Sequence, residues 1–132
     1  MEIYNYFSMK NYLIVFVSSG IGGSMRYAVQ MFVDSKSTGS FPIVTFMINI
    51  IGCFCIGIIY SLSEKAPWLT PEWRLALATG FCGGFTTFSA FALENVSLLR
   101  TGNYTASALY IFLSITLGIA ATFAGIFILK TS

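Results

Sequence analysis

Gly80-Phe81-Cys82-Gly83-Gly84-Phe85-Thr86-Thr87-Phe88-Ser89-Ala90-Phe91 lies inside a hydrophobic stretch long enough to cross a bilayer, and its reading decides the fold. Two adjacent glycines followed by two threonines are poor material for continuing a helix, since each Gly costs roughly 1 kcal/mol relative to Ala in a helix interior. Hydrocarbon tolerates open backbone only where protein buries it or where it lines a polar cavity. The stretch therefore predicts a helix break at membrane depth. Hydroxyls follow it, with two phenylalanines three residues apart, as an intramembrane ion or solute site requires.

The rest of the chain points the same way. Of 132 residues, 56% are hydrophobic and only 9% charged, against about 25% charged in a soluble domain. So few charges cannot cover a globular surface, and the chain reads as an all-α integral membrane protein. A net charge of +2, scattered along the sequence, is too small to suggest a nucleic-acid partner, and none is expected. There is no histidine, which removes the commonest general base and metal ligand. Cys53, Cys55 and Cys82 fall inside apolar runs, where a free Cys packs as a small hydrophobe. The apolar run from Tyr12 continues past Gly20 without a small-residue cleavage site, so no secretory signal peptide is expected.

A hydrocarbon core about 30 Å thick needs roughly 20 helical residues. Four segments of a single domain, residues 1–132, qualify: 12–33, 41–63, 71–99 and 104–129. Ser40 before Phe41-Pro42, and Thr70 before Pro71, each predict a side-chain cap with proline in the first turn. Trp68 and Trp73 bracket the start of the third span, at the level of an aromatic belt. Thr101-Gly102-Asn103 predicts a tight turn between the third and fourth spans.

Four spans place both termini on one side, with Lys10, Lys65, Arg74 and Lys130. Lys36 and Arg100 lie on the other, with Arg26 just inside the first span. This near balance leaves two readings of orientation open: an unseen determinant, or insertion both ways, which permits an antiparallel homodimer. Ser19 and Gly23, Gly118 and Thr122, and Ala121 and Gly125 are small residues at i, i+4, suited to close helix contact.

Several polar residues lie at depth. Arg26 is either a snorkelling base near a helix end or a positive lure at the mouth of an anion pathway. Asn49, with Gly52 on its face, either bonds between helices or offers amide N–H donors to an anion. Phe88 and Phe91 share a face if the helix resumes, and their positive ring edges can face an anion without trapping it. Thr86, Thr87 and Ser89 add hydroxyls. Tyr110 and Ser114 make a polar stripe on the fourth span. Glu94 reads as a partner for Arg100 or as a cap at least as readily as a transport residue.

The motif GFCGGFTTFSAF (80–91), together with GIGGSMRY (20–27) and NIIGC (49–53), resembles the Fluc/CrcB fluoride channels over nearly the whole chain. The resemblance implies an antiparallel, dual-topology homodimer in the inner (plasma) membrane. Its two pathways would carry fluoride passively out of the cytoplasm. It implies a structural sodium ion at the dimer centre, held by the backbone carbonyls of Gly83 and Thr86 from both subunits. It further implies a fluoride pathway through Arg26, Asn49, Phe88, Ser89, Phe91, Tyr110 and Ser114. Ala90 and Gly118 stand where the family commonly carries hydroxyl residues, which thins the polar track. The rival readings are a small four-span multidrug/proton antiporter and a non-transporting assembly subunit. The first needs a deep acid, for which Glu94 is the sole candidate, and the second does not explain a broken, hydroxyl-rich third span. With no histidine, embedded acid pair or serine–base arrangement, the chain is not expected to be an enzyme.

Overall fold

The computed structural model describes residues 8–36 and 39–130, and the elements among them are all helical. Helix α1 is Met9–Asp34 and α2 is Ile43–Lys65. Helix α3 (residues 71–85) joins a turn at Pro71–Arg74, a π-helical stretch Leu75–Cys82 and a last turn Gly83–Phe85. Helix α4 is Phe88–Arg100 and α5 is Tyr104–Ile128. The third predicted span is thus two helices end to end, interrupted at Thr86 and Thr87.

Three segments are long and apolar enough to cross a membrane: α2, Pro71–Arg100 and α5. Helix α1 has 26 residues, roughly 39 Å at 1.5 Å each. It is the least apolar of the four, since it carries Lys10, Ser18, Ser19, Arg26 and Gln30. Lys10 pairs with Glu72 at 3.2 Å, and Lys65 Nζ donates to the Leu129 carbonyl. These contacts bring the start of α1, the end of α2, the start of α3 and the end of α5 to one end of the bundle.

The local signals resolve unequally. Thr70 caps α3 as predicted, with its Oγ1 accepting from the Trp73 N–H at 3.4 Å and Pro71 following at once. Ser40 does not cap α2. The helix begins at Ile43, after a Pro42 that occupies the cap position at φ −77 and ψ 65 without a side-chain bond; the Ile43 N–H turns back to the Phe41 carbonyl at 2.8 Å, a tight turn centred on the proline. At the far end of α4 the Asn103 N–H reaches the Leu98 carbonyl at 2.8 Å, and the Gly102 N–H reaches Leu99 at 3.2 Å. That Schellman closure needs a left-handed residue, and Gly102 supplies it at φ 80.

Packing pairs α1 with α3 and α2 with α5, while α4 lies on α5. Small residues make both contacts. A Cβ on Gly22 would meet the Phe81 carbonyl, one on Gly84 the Ser19 backbone, and one on Gly80 the Ser18 hydroxyl. On the other pair, Gly57 faces the Thr122 carbonyl and Gly125 faces Phe54 and Ile58. Of the predicted small residues, Ser19, Thr122 and Gly125 lie at these close crossings, as backbone approach in a membrane requires, joined by Gly22, Gly57, Gly80 and Gly84, which the i, i+4 pairs did not include. Large apolar side chains point outward instead: Phe16, Phe32, Leu93 and Phe112 are all exposed. A modest apolar cluster of Val44, Ile48 and Phe85 forms the centre, with Val29, Val33 and Phe81 against it.

Gly84→Val should drive α1 from α3 and lower the thermal midpoint in detergent, by the 1–3 kcal/mol typical of overpacking, roughly, or more. Gly20→Ala meets nothing within 4 Å and should leave that midpoint unchanged or raised, because Ala is the better helix former. Equal midpoints for the two variants would refute the crossing.

Candidate functional site

The site is built around the interruption of the third span. The break falls at the threonines of the predicted stretch: Gly83 is still helical at φ −62 and ψ −38. Thr86 (φ −82, ψ 160) and Thr87 (φ −152, ψ 121) are extended. β-Branched residues suit that conformation better than a helix. The Thr86 amide and hydroxyl both donate to the Cys82 carbonyl, at 2.9 and 2.8 Å, and so close α3. Thr87 opens α4 as its N-cap, its Oγ1 accepting from the Ala90 N–H at 3.2 Å.

An open peptide at this depth needs partners, and Asn49 on α2 provides them. Its Oδ1 accepts from the Thr87 N–H at 2.9 Å, and its Nδ2 donates to the Thr87 carbonyl at 3.1 Å. A carboxamide carries the same donor and acceptor as a peptide group, so it replaces the missing helical partner on both sides. Of the two readings left open for Asn49, the interhelical bond is formed, and the second amide hydrogen remains. Gly52, one turn along, leaves space for the Thr86 methyl, which a Cβ there would overlap. Because Thr87 donates to Asn49, the Gly83 carbonyl loses its i+4 donor.

A cavity of about 400 Å³ opens beside the break, lined by Asn49, Gly83, Thr86, Phe88, Phe91 and Ser114 among others. Six residues singled out in the sequence therefore meet in one place. The Ser114 hydroxyl is buried there without a hydrogen-bond partner. Phe88 and Phe91 are neighbours, with ring centroids 5.6 Å apart. Phe88 is 79% exposed, so within this chain its ring is bare. Ser89 is also exposed, its Oγ 3.2 Å from that of Thr87. Arg26 lines neither this cavity nor the one described next.

Phe91 meets Tyr110 edge-on, with centroids 4.9 Å apart. Tyr110 is fully buried and donates to Glu94 Oε2 at 2.7 Å. Thr45 donates to Glu94 Oε1 at 2.6 Å. Beyond this trio lies a second cavity of about 310 Å³, lined by Gln30, Asp34, Ser40, Thr45 and Glu94 among others. A continuous file therefore runs from the Ser114 cavity through Phe91, Tyr110, Glu94 and Thr45 to the other end of the bundle. Glu94 pairs with these two hydroxyls and not with Arg100, which is exposed at the end of α4. It lies one turn past Phe91, on the face turned to α2 and α5.

Thr45 escaped the sequence reading. Its signal was the i, i+4 spacing to Asn49, which continues the polar face of α2 by one turn. The two departures have visible settings. Gly118 is buried, with Cys53 Sγ 3.5 Å from where its Cβ would lie, and Ala90 donates its N–H to the Thr87 cap. All three cysteines are free thiols. Among the described residues no group of three or more His, Cys, Asp or Glu is placed to hold a metal.

Asn49→Ala strands the Thr87 N–H and C=O, at roughly 1–3 kcal/mol for each buried group left unpaired. The expected result is a clear fall in the thermal midpoint, with faster hydrogen exchange at Thr87 and Phe88. Unchanged exchange at those two amides would refute the clasp.

Residues 13–126 match the family model described as "CrcB-like protein, Camphor Resistance (CrcB)". A protein of Azobacteroides pseudotrichonymphae named fluoride-specific ion channel FluC is 42% identical over 117 residues, which are 89% of this chain and 94% of that one. Proteins of the same name from Gloeothece citriformis and Bacteroides fragilis are 43% and 44% identical. Those matches cover 92% and 89% of this chain, and 98% and 94% of theirs. With its length matched almost throughout and its break motif set in a membrane-length helical segment, this chain belongs to the CrcB-like family, whose relatives are named fluoride-specific ion channels.

Proposed function

We propose that this protein conducts fluoride selectively and passively out of the cytoplasm, working as an antiparallel, dual-topology homodimer of four-span chains in the inner membrane. The family is one of channels, not enzymes. Neither a multidrug exporter nor an assembly subunit occurs among the relatives named above. The observation that carries the reading is the file from Ser114 and Phe91 through Tyr110 and Glu94 to Thr45, joining two cavities.

Its chemistry suits a small, strongly hydrated anion. Such an ion gives up much of its water shell only if other donors replace it. The partnerless Ser114 hydroxyl is one donor, and the second Asn49 amide hydrogen is another. The edges of Phe88 and Phe91 carry the positive part of the ring quadrupole. None is a full fixed charge, so each site binds weakly enough to release the ion. At Glu94 the anion competes with a carboxylate for the Tyr110 and Thr45 protons, which limits how long it stays. Arg26 acts outside the cavities, drawing anions toward the mouth.

The dimer supplies what one chain lacks. Phe88 is bare, and α5 buries only 11% of its most apolar stretch. A second copy completes the walls, and two antiparallel copies give two pathways. The nearly balanced flanking charge supports insertion both ways. The Gly83 carbonyl, deprived of its helical donor, and the Thr86 carbonyl on extended backbone are neutral oxygens of the kind sodium prefers. Two such pairs, one from each copy, would hold a structural sodium ion at the dimer centre, which would supply a positive charge to tie the two copies together.

Fluoride efflux from liposomes under a potassium-ionophore clamp, with chloride as the control, tests the function. Rapid fluoride loss without chloride loss is expected, and a well-folded protein that releases neither ion overturns the reading. Tyr110→Phe removes one donor bond, and Phe91→Ile removes a ring edge. Each should slow fluoride efflux on the order of tenfold or more, the equivalent of about 1.4 kcal/mol at the barrier. Undiminished flux in both variants would remove these residues from the pathway.

A further inference from the structure

The file through Tyr110 and Thr45 leaves the break toward one end of the bundle, and α3 carries a polar face toward the other. Leu75, Thr79 and Gly83 follow one another at i, i+4 and so share that face. Where α1 and α3 begin, it borders a polar cavity of about 570 Å³, lined by Lys10, Glu72, Arg74, Leu75 and Thr79 among others. Thr79 alone among the described residues lines both this cavity and the one beside the break. The reverse face of α3, through Trp73, Leu77 and Phe81, lines an almost wholly apolar groove. Polarity is thus confined to the side that leads to Gly83.

The cavity carries a surplus of positive charge. Lys10 pairs with Glu72 at 3.2 Å, while Arg74 is exposed and has no acidic partner among the described residues. Arg26 lies outside this cavity as well. A recess of one charge sign with low-dielectric walls focuses its field and concentrates the opposite ion. Thr79 offers the next contact. The hydroxyls of Thr86, Thr116 and Thr122 each turn back to a carbonyl four residues earlier in the chain. The exposed Thr79 hydroxyl makes no such bond among the described residues, so its proton is open to an incoming anion.

We propose that the cavity at Lys10 and Arg74 is the second mouth of the fluoride path, and that Thr79 passes the ion from it to the break. This rests on the channel reading and adds three residues to the path. Lys10 and Arg74 raise the local anion concentration without fixing the ion in one geometry. Glu72 moderates the field, which keeps the mouth from holding the ion too tightly to release it. The Thr79 hydroxyl donates to the ion as it sheds water, before the Ser114 hydroxyl and the second Asn49 amide hydrogen take over.

Two measurements on the full-length protein test this. The first is fluoride efflux from liposomes at a fixed fluoride gradient, with ionic strength set by a potassium salt of an impermeant anion. The double variant Lys10→Gln, Arg74→Gln should slow efflux about fivefold at about 0.01 M salt, where the Debye length is about 30 Å. At about 1 M, where that length is about 3 Å, the loss should shrink below about twofold. Glu72→Gln should speed efflux at low salt only. Thr79→Val, which keeps the shape and loses the proton, should slow it on the order of tenfold at either salt. The second measurement needs no flux. A Thr79→Cys variant is labelled with an anionic or a cationic water-soluble methanethiosulfonate and read by mass, with the unaltered protein as the blank for its native thiols. The anionic reagent should react several-fold faster, and adding Lys10→Gln and Arg74→Gln should abolish that preference. Unchanged efflux in every variant, or a thiol at position 79 that neither reagent reaches, overturns the proposal and leaves the channel reading standing. Charge-selective labelling in a protein that releases no fluoride sinks the channel reading, and with it the fluoride role of this mouth.

Discussion

A single side chain, the carboxamide of Asn49, makes the interrupted third span possible. Within a bilayer an unpaired peptide N–H or C=O costs several kcal/mol, roughly, and water is not there to relieve it. At Thr87 both groups are taken by Asn49, at 2.9 and 3.1 Å. The rest of the local structure follows from that exchange. Thr87 is held extended and so can cap α4. Helix α4 starts with Phe88 and Phe91 beside the cavity, and the Gly83 carbonyl is released from its helical role. Gly52, on the same face of α2, admits the Thr86 methyl. One turn of α2 thus sets the geometry of two other helices.

The packing around this break inverts the arrangement of a soluble domain. Its closest helix contacts are built from glycines and hydroxyls around a small apolar cluster of Val44, Ile48 and Phe85, while many large apolar side chains, Phe16, Phe32, Leu93 and Phe112 among them, face outward. Helix association has little hydrophobic drive in lipid, so contact must come from close approach and hydrogen bonds. Gly22 and Gly84 supply the approach between α1 and α3. The π-helical stretch Leu75–Cys82, with the Gly83 N–H reaching back to Ala78, widens α3 just before the break. It brings Gly80 and Gly84 together toward Ser18 and Ser19. Such stretches occur preferentially at functional positions, and here one adjoins the cavity.

Glu94 gives the file its electrostatic character. A carboxylate inside a membrane protein needs donors, and Thr45 and Tyr110 satisfy one oxygen each. Among the described residues the one ion pair is Lys10–Glu72, at the far end of the bundle. The acid is therefore held by neutral hydroxyls alone. That keeps its hydrogen bonds exchangeable, which a bidentate arginine partner would not. An exporter needs an acid free to exchange protons with its cargo; this one is tied to two hydroxyls between the two cavities.

Much of this was legible in the chain itself. Hydropathy and charge set the membrane class, Thr70-Pro71 and Gly102 marked a helix start and a helix end, and GFCGGFTTFSAF announced a break with Phe88 and Phe91 beyond it. Those features are local: caps, turns and breaks depend on a few consecutive residues. Three others belonged to the tertiary structure. Within the predicted stretch the interruption sits at Thr86-Thr87, where Asn49, over thirty residues away in sequence, holds the Thr87 peptide. Glu94 turns to Thr45 and Tyr110 and leaves Arg100 outside, a pairing that joins three helices and has no sequence spacing. The π-helical register of α3, which coincides with its glycine contacts to α1, has no local sequence signal. The sequence by itself determined what the chain is made to cross and where its helix yields, because those depend on local composition; only the packing of α2 against that yielding point decided which groups meet at the cavity.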